Sequence, residues 1–455
     1  MMSTQPQRQV LFSFSKQEQD LPPVRTGGLV SDSLAYFFSK LVPGFFGFIT
    51  VPILIRLIGV DQYGRLAVLL PLLMAFGGAG GGWLAQGMLR FHPTLRDDAT
   101  VHARFDYAVL VAAAFSLVIT GAALCVLLIV LGYGAPCVSI GVGLCCSFLA
   151  YNLALTKLQS ELRPASVMKW EILRSTAGFI LPVLLVCLPG WRNFQVALLG
   201  LGLAYALAAS LAIWAGTTLK VHPLPYLAQV KPEILPKLWR FGWAVGVWLL
   251  LFQILPVIDR SVIQRFAGYH QAGIYASLYE ISIRSFSLLA FPLTQAAHPR
   301  IMRCCNEGNH AEAYCIIKRS IRYQLLIFLP LILFVFLFAR RIAFLILGFE
   351  DAAAASILPL LIMGGFFWQM ALLAHKPLEI RERTKVMLLG MAAIVIVEFA
   401  ANCLLVPIYG YRISAYVVVG CSLLYLAIVF YLGKLRVPAA PGPTHAAEKH
   451  EVQSA

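Results

Sequence analysis

Long apolar stretches alternate along this chain with short polar ones. Twelve apolar runs read as membrane spans, at roughly 30–56, 66–89, 105–131, 136–156, 175–190, 194–217, 241–259, 270–297, 323–339, 353–375, 386–407 and 413–433. About 20 apolar residues in a helix cross the hydrocarbon core. The fifth run is short, and the border of the ninth and tenth, from Ala339 to Ala355, is blurred. The longer loops at 91–104, 218–240 and 298–320 mix Pro, His and charge and suit interfacial helices. No polar stretch is large enough for a soluble catalytic domain. Residues 1–28 are polar without an apolar h-region, so a tail rather than a cleavable signal peptide is expected. From Val437 onward the chain runs Pro-Ala-Ala-Pro-Gly-Pro, then turns polar, and has the composition of a disordered terminus.

Two of the polar corners share a pattern, Arg-[Leu/Phe]-x-Gly-x-x-Gln-x-Gly-x-x-Ala. It occurs from Arg56 to Ala67 and again, 209 positions later, from Arg265 to Ala276. A second match joins Leu184-Leu185-Val186, Gly190, Arg192, Gly200 and Tyr205 to Leu404-Leu405-Val406, Gly410, Arg412, Gly420 and Tyr425, at an offset of 220. The chain therefore reads as a duplication. With six spans per copy, the second copy enters the membrane in the same sense as the first, so the halves are parallel repeats. The predicted fold is an all-α polytopic membrane protein with about 12 transmembrane helices in two parallel six-helix bundles around a central cavity. The organisation expected is a tail to residue 28, a bundle over 29–217, a linker over 218–240, a second bundle over 241–433 and a tail over 434–455.

Composition narrows the class. The chain is 60% hydrophobic and 13% charged, with a mean hydropathy of +0.79. Lipid must be the solvent for most of that surface. The net charge of +15 raises nucleic acid as a partner, but the charges lie elsewhere. One alternating set of segments, starting with the N-terminal tail, carries 26 Lys and Arg, and the other set carries 8. The asymmetry predicts both termini and the longer loops in the cytosol, and excludes nucleic acid because no basic cluster belongs to a soluble module. Attraction to anionic membrane lipids accounts for the rest. The ten cysteines form no CxxC pair and read as packing residues. No nucleophile–base set, metal-ligand spacing or cofactor fingerprint occurs, so neither an enzyme nor a cofactor is expected. The run Gly77-Gly78-Ala79-Gly80-Gly81-Gly82 lacks the Lys-Ser/Thr of a phosphate loop, and reads as a hinge or a close helix contact.

A resemblance becomes specific at the corners. A first span ending in Ile-Arg-Leu-Ile-Gly-Val-Asp-Gln-Tyr-Gly64 resembles the first hairpin of Wzx-type lipid-linked oligosaccharide flippases. So do the seventh span ending in Ile258-Asp259-Arg260, the Gln271-Ala-Gly-Ile-Tyr-Ala276 that follows, and the late corner Asn402-Cys-Leu-Leu-Val-Pro-Ile-Tyr-Gly410. The family usually continues Gly-Ala-Ala after that last glycine, where this chain has Tyr411-Arg412-Ile413. The resemblance covers nearly all of 28–433 and implies the multidrug/oligosaccharidyl-lipid/polysaccharide (MOP) exporter superfamily.

Polar residues inside spans are functional candidates because lipid penalises them by roughly 2.5–3.5 kcal/mol per charge. Lys40 shares a helix face with Ser33, Pro43 and Gly47, and reads as a cavity cation or a snorkelling side chain. In the eighth span Gly273, Ser277, Glu280, Arg284 and Ser287 form a stripe at helical spacing, with Glu280 and Arg284 either a structural pair or a substrate site. Asp259 and Arg260 lie near the end of the seventh span, as a site or a rim ion pair. Glu398 and Asn402, one turn apart, suit proton coupling or a helix contact, and Asn152, Thr156 and Gln159 suit sugar hydroxyls or helix packing. Asp32 reads as a cap or interfacial charge with an ion site as the alternative.

The resemblance implies a flippase that moves an undecaprenyl-pyrophosphate-linked oligosaccharide across the cytoplasmic (inner) membrane, and the two halves suit alternating access. Substrate would meet Lys40, Arg284, Arg260, Asn152 and Gln159, while Glu280, Asp259, Glu398 and Asp32 would couple ions or form pairs. An ion gradient or the membrane potential would drive it, and a polysaccharide polymerase and other export components are the implied partners. A drug/cation antiporter of the same superfamily is the main rival. A peptidoglycan-precursor flippase usually has two further spans, a glycosyltransferase or polymerase a sizeable outer loop, and a passive channel no need of duplicated halves.

Overall fold

A backbone in lipid must satisfy its own hydrogen bonds, and each apolar run accordingly folds as a helix. The computed structural model describes residues 26–92, 99–161, 163–214, 234–306, 309–380 and 384–433, and among these residues there is no strand. The elements are α1 (Thr26–Ile58), α2 (Val60–Phe91), α3 (Ala99–Val130), α4 (Ala135–Ser160), α5 (Pro164–Cys187), α6 (Phe194–Trp214), α7 (Ile234–Asn306), α8 (His310–Leu347), α9 (Ala352–Ala374), α10 (Lys376–Ile380), α11 (Thr384–Tyr409) and α12 (Ile413–Gly433). Among the described residues eleven helices are long and apolar enough to cross a membrane. One of them, α7, does so twice. Its 73 residues would extend about 110 Å if straight, but Gly268 leaves helical geometry (φ 87°, ψ 173°). The arms fold back there, so that Tyr275 reaches Asp259 and Arg260 reaches Glu280. The result is twelve crossings.

Two expected boundaries move for physical reasons. The fifth span is not short, because α5 starts at Pro164. Hydropathy reads 164–174 as loop, but Arg174 is paired inside the protein with Glu171, three residues earlier. The blurred ninth–tenth border resolves into a clean stop and start. Gly348 ends α8 in the left-handed conformation (φ 84°, ψ 2°), and the Asp351 carboxylate caps α9 by accepting from the amides of Ala353 (2.8 Å) and Ala354 (3.0 Å). The expected linker lies mostly outside the described residues, and from Ile234 it is already α7. Of the expected tails, only 26–28 are described, as the start of α1.

Six glycines among the described residues have positive φ: Gly59, Gly132, Gly190, Gly268, Gly348 and Gly410. They turn, in order, α1 into α2, α3 into α4, α5 into α6, the arms of α7, α8 into α9 and α11 into α12. All six therefore lie at one end of the helices, the corner end. They pair between halves as Gly59 with Gly268, Gly132 with Gly348 and Gly190 with Gly410. The middle pair, 216 positions apart, carries only a short match, Leu131-Gly132-Tyr133 with Leu347-Gly348-Phe349.

The halves meet where α2 runs antiparallel to the first arm of α7 and, at the corner end, touches the second. At the corner end the contact is reciprocal. A Cβ on Gly64 would collide with the carbonyl of Tyr269, and one on Gly273 with the carbonyl of Val60. Gly64 and Gly273 are equivalent in the duplication, as are Val60 and Tyr269, so the corners pack about a pseudo-twofold axis. Equivalent side chains also meet: the imidazole of His270 lies 3.4 Å from the Asp61 carboxylate. Arg65 adds a guanidinium 4.6 Å above the Tyr269 ring. Further along, Gly78 faces Gln253, Gly82 faces Gly246, and Gly242 lies against the backbone of Trp83. The glycine run of the second span is thus a close-packing seam, where small residues let backbones approach.

Candidate functional site

Away from the corner end the halves part around a cavity of about 520 Å³, walled by α1, α2, α5, α6, α7, α9, α11 and α12. Pockets of this size take drug-sized ligands. Its lining carries three cations, Arg174, Arg260 and Arg284, against two carboxylic acids, Glu280 and Glu398. Tyr63, Tyr205, Phe252, Tyr279 and Trp368 supply aromatic wall.

The arginines of α7 share one carboxylate. Arg260 Nη2 donates to Glu280 Oε1 at 2.7 Å, and Arg284 Nη2 contacts Glu280 Oε2 at 3.2 Å. Arg260 Nη1 also donates to the Ala67 carbonyl of α2 at 3.1 Å, and its guanidinium lies 5.4 Å from the centre of the Tyr279 ring. Arg260 is held by both halves of the molecule. Arg284 instead points at α1, where a Cβ on Gly47 would overlap its guanidinium. The expected face of α1 through Gly47 therefore does meet the C-terminal half.

Behind this group lies a drier network. Asp259 accepts from the Tyr275 hydroxyl (2.6 Å) and from Asn402 Nδ2 (2.9 Å), and Ser414 Oγ donates to Asn402 Oδ1 at 2.6 Å. Asn402 is further tied to the Glu398 carbonyl at 3.0 Å. The Glu398 side chain, 4% exposed, lies beside Asp259 in the same buried group. Asp259 is 1% exposed, which corrects its expected place at a rim. The first arm of α7 continues two turns past Asp259 to Gly268; α11 and the second arm meet Asp259, and α2 and the second arm meet Arg260. Asn402 and Ser414, twelve residues apart across the α11–α12 corner, are drawn together by the Gly410 turn. Ser414 left no mark in the sequence.

Arg174 is the functional candidate that sequence reasoning missed. It counts there as a loop cation, but on α5 it lines the cavity from the N-terminal half. Glu171 Oε2 accepts from its Nε at 3.0 Å, and the ring centres of Tyr205 and Tyr151 lie 5.3 and 5.8 Å away. The i, i+3 spacing to Glu171 was the available signal. Lys157, also counted as a loop cation, is buried on α4 against Asp106 and His92.

The remaining candidates scatter. Asp32 and Lys40 stand on α1, and their side chains lie outside the described residues, as does that of Ser287. Asn152 and Gln159 on α4 are half-buried and do not line this cavity. Ser277 is buried and donates to the Ile274 carbonyl, so among the described side chains the expected polar stripe reaches the cavity at Glu280 and Arg284. Among the described residues no three His, Cys, Asp or Glu side chains converge as metal ligands.

Comparison with solved structures finds the same fold in transporters. An inward-facing multidrug-resistance transporter of the MATE family, in the MOP superfamily, superposes with a TM-score of 0.63 at 16% identity, covering 92% of this chain and 100% of that one. A MOP-superfamily transporter from Pyrococcus furiosus, described by the reversed polarity of its binding pocket, gives 0.62 at 15% identity, covering 90% of this chain and 95% of that one. An outward-facing MATE-family transporter gives 0.60 at 15% identity, with 90% and 94% covered. No curated protein matches the chain in sequence. The model of the polysaccharide biosynthesis protein family matches residues 29–304, more than half of the chain. On the fold of the MOP-superfamily transporters, the chain is a multi-pass membrane protein that belongs to the polysaccharide biosynthesis protein family.

Proposed function

We propose that this protein is a flippase that carries an undecaprenyl-pyrophosphate-linked oligosaccharide from the cytosolic to the outer leaflet of the cytoplasmic membrane by alternating access. The observation that carries this reading is the cavity between the halves, where Arg260 and Arg284 share the single carboxylate of Glu280 and leave one positive charge in excess. An excess of fixed cations inside lipid is stabilised by an anionic ligand, and a planar guanidinium matches a phosphate bidentately. With both termini in the cytosol, as the Lys and Arg asymmetry favours, the reciprocally packed corners form a closed outer gate. The cavity then loads from the cytosolic side. The pyrophosphate meets Arg284, with Lys40 on the neighbouring helix and Arg174 opposite. The first sugars lie along Tyr205, Gln253, Phe252 and Trp368, and the polyprenyl tail stays in the bilayer. Nothing is chemically transformed, and a polymerase would take the delivered unit.

The coupling site in this reading is the Asp259–Glu398 pair. Two neighbouring buried carboxyl groups can take up one positive charge, a proton or an alkali ion, and the ion gradient or membrane potential that empties and refills the pair biases the cycle. A second reading, a drug/cation antiporter, has Glu280, Glu398 and the aromatic wall in its favour. The flippase is tested in proteoliposomes by the appearance of labelled lipid-linked glycan in the outer leaflet. Wild-type protein should produce it, and Arg284→Ala should slow it by about tenfold or more, the loss of a charge-assisted hydrogen bond. Wild-type vesicles that leave the glycan in place but expel a cationic drug would overturn the flippase in favour of the antiporter.

A further inference from the structure

Glu280 bridges its two arginines unequally. Its contact with Arg260 is 2.7 Å, and the Arg260 side chain is 3% exposed. Its contact with Arg284 is longer, 3.2 Å, and Arg284 is 33% exposed to the cavity. Arg260 keeps a second acceptor in the Ala67 carbonyl. Arg284 packs against Gly47, which offers it no side chain; the buried Nε of each arginine has no hydrogen-bond partner. One arm of the carboxylate is thus anchored in a dry contact, and the other holds a cation that water and ligand can reach.

We infer that Glu280 is an internal stand-in for the substrate anion, which a diphosphate displaces from Arg284 on binding and which displaces the diphosphate on release. This rests on the flippase reading of the cavity. A diphosphate carries more charge than one carboxylate and offers the guanidinium two parallel acceptors, so it wins the exchange. Glu280 Oε1 stays on Arg260, and Oε2 swings clear without leaving a buried charge unpaired. A carrier that must return empty needs such a residue. Two bare arginines would hold any phosphate too long, whereas a resident carboxylate sets a threshold that weak monoanions do not pass. Glu280 is therefore a positioning and selectivity residue that acts through Arg284.

The test is calorimetric titration of the purified protein with inorganic pyrophosphate. Glu280→Gln should bind it about tenfold more tightly than wild type and, in vesicles, release labelled glycan more slowly. Glu280→Asp, one methylene shorter and unable to span both arginines, should gain a few-fold. Adding Arg284→Gln to Glu280→Gln should abolish the gain. A residue that merely held the helices together would lower affinity when changed. If neither Glu280 variant, each as thermally stable as wild type or less so, binds pyrophosphate more tightly, the exchange is overturned while wild-type flipping can stand. If both bind more tightly but the wild-type protein moves no lipid-linked glycan, the exchange stands and the flippase falls.

Discussion

Gly59 and Gly268, 209 positions apart, leave helical geometry in the same way, with φ near 85° and ψ of 161° and 173°. The residues 209 positions before Asp259 and Arg260 are Thr50 and Val51, and those before Glu280 and Arg284 are Pro71 and Ala75. At the other offset, Glu398 and Asn402 answer to Gly178 and Pro182, and Ser414 to Phe194. The halves thus agree at their corners and diverge inside. A corner is fixed by backbone geometry that only glycine meets cheaply, so both copies keep it. An interior charge is tolerated only with partners, and the C-terminal half supplies its partners to itself: Asp259, Tyr275, Asn402 and Ser414 form one network. The N-terminal half contributes a different cation, Arg174, on a different helix. The architecture is symmetric and the chemistry is not, as a carrier needs if its halves rock about one axis while its ligand sits nearer to one of them.

The largest expected break in this comparison comes from matched truncations at a polar and an apolar site. Asn402→Ala removes the donor to Asp259 and the acceptor for Ser414, and leaves both buried groups short of a partner. That should cost on the order of 3 kcal/mol. Pro182→Ala, at the equivalent position of the other half, removes no hydrogen bond and should stay within about 1 kcal/mol of wild type. Unfolding in mixed micelles reads both. Equal losses would mean that the Asp259 network contributes nothing to the C-terminal half beyond helix packing.

The unequal legibility of corners and interiors has the same cause. Apolar runs, the repeated corners and the parallel halves were visible because each is a local pattern, set by helix length or by a glycine. The pairing of Asp259 with Asn402 was not, since it joins α7 to α11 across 143 positions and no local spacing marks it. Arg174 misled for a different reason. Hydropathy treats every arginine as a reason to leave the membrane, whereas Glu171 and two tyrosines let this one stay. Asn152 and Gln159 lie away from this cavity, because polar spacing marks a helix face without saying what that face meets.

A smaller effect tests whether the reciprocal corner contact is symmetric. Gly64→Val and Gly273→Val each push a side chain into the opposite corner's carbonyl. Each should cost about 1–3 kcal/mol by overpacking. Because the two contacts are related by the pseudo-twofold axis, the losses should be alike, and both variants should slow disulfide trapping between Asp61→Cys and His270→Cys by similar factors. If one valine is tolerated and the other is not, the axis does not govern the gate and the corners bear load unequally.

The smallest differences separate one kind of corner glycine from another. At Gly59 and Gly268 nothing lies within 4 Å of a built Cβ, so substitution meets no clash and the whole penalty is backbone strain. Their ψ values place them in a region almost closed to side chains, so even asparagine should cost about 1 kcal/mol or more at each. Gly348, with ψ of 2°, is in the left-handed helical region that asparagine visits readily, and its nearest neighbour, Arg56, stands at 3.5 Å. Gly348→Asn should therefore change stability by only a few tenths of a kcal/mol. Melting temperatures of the three variants decide the matter. Equal losses at Gly59 and Gly268 with almost none at Gly348 would show that the duplication preserves the inter-half corner as a conformation. A tolerated asparagine at all three would show that it preserves only a turn.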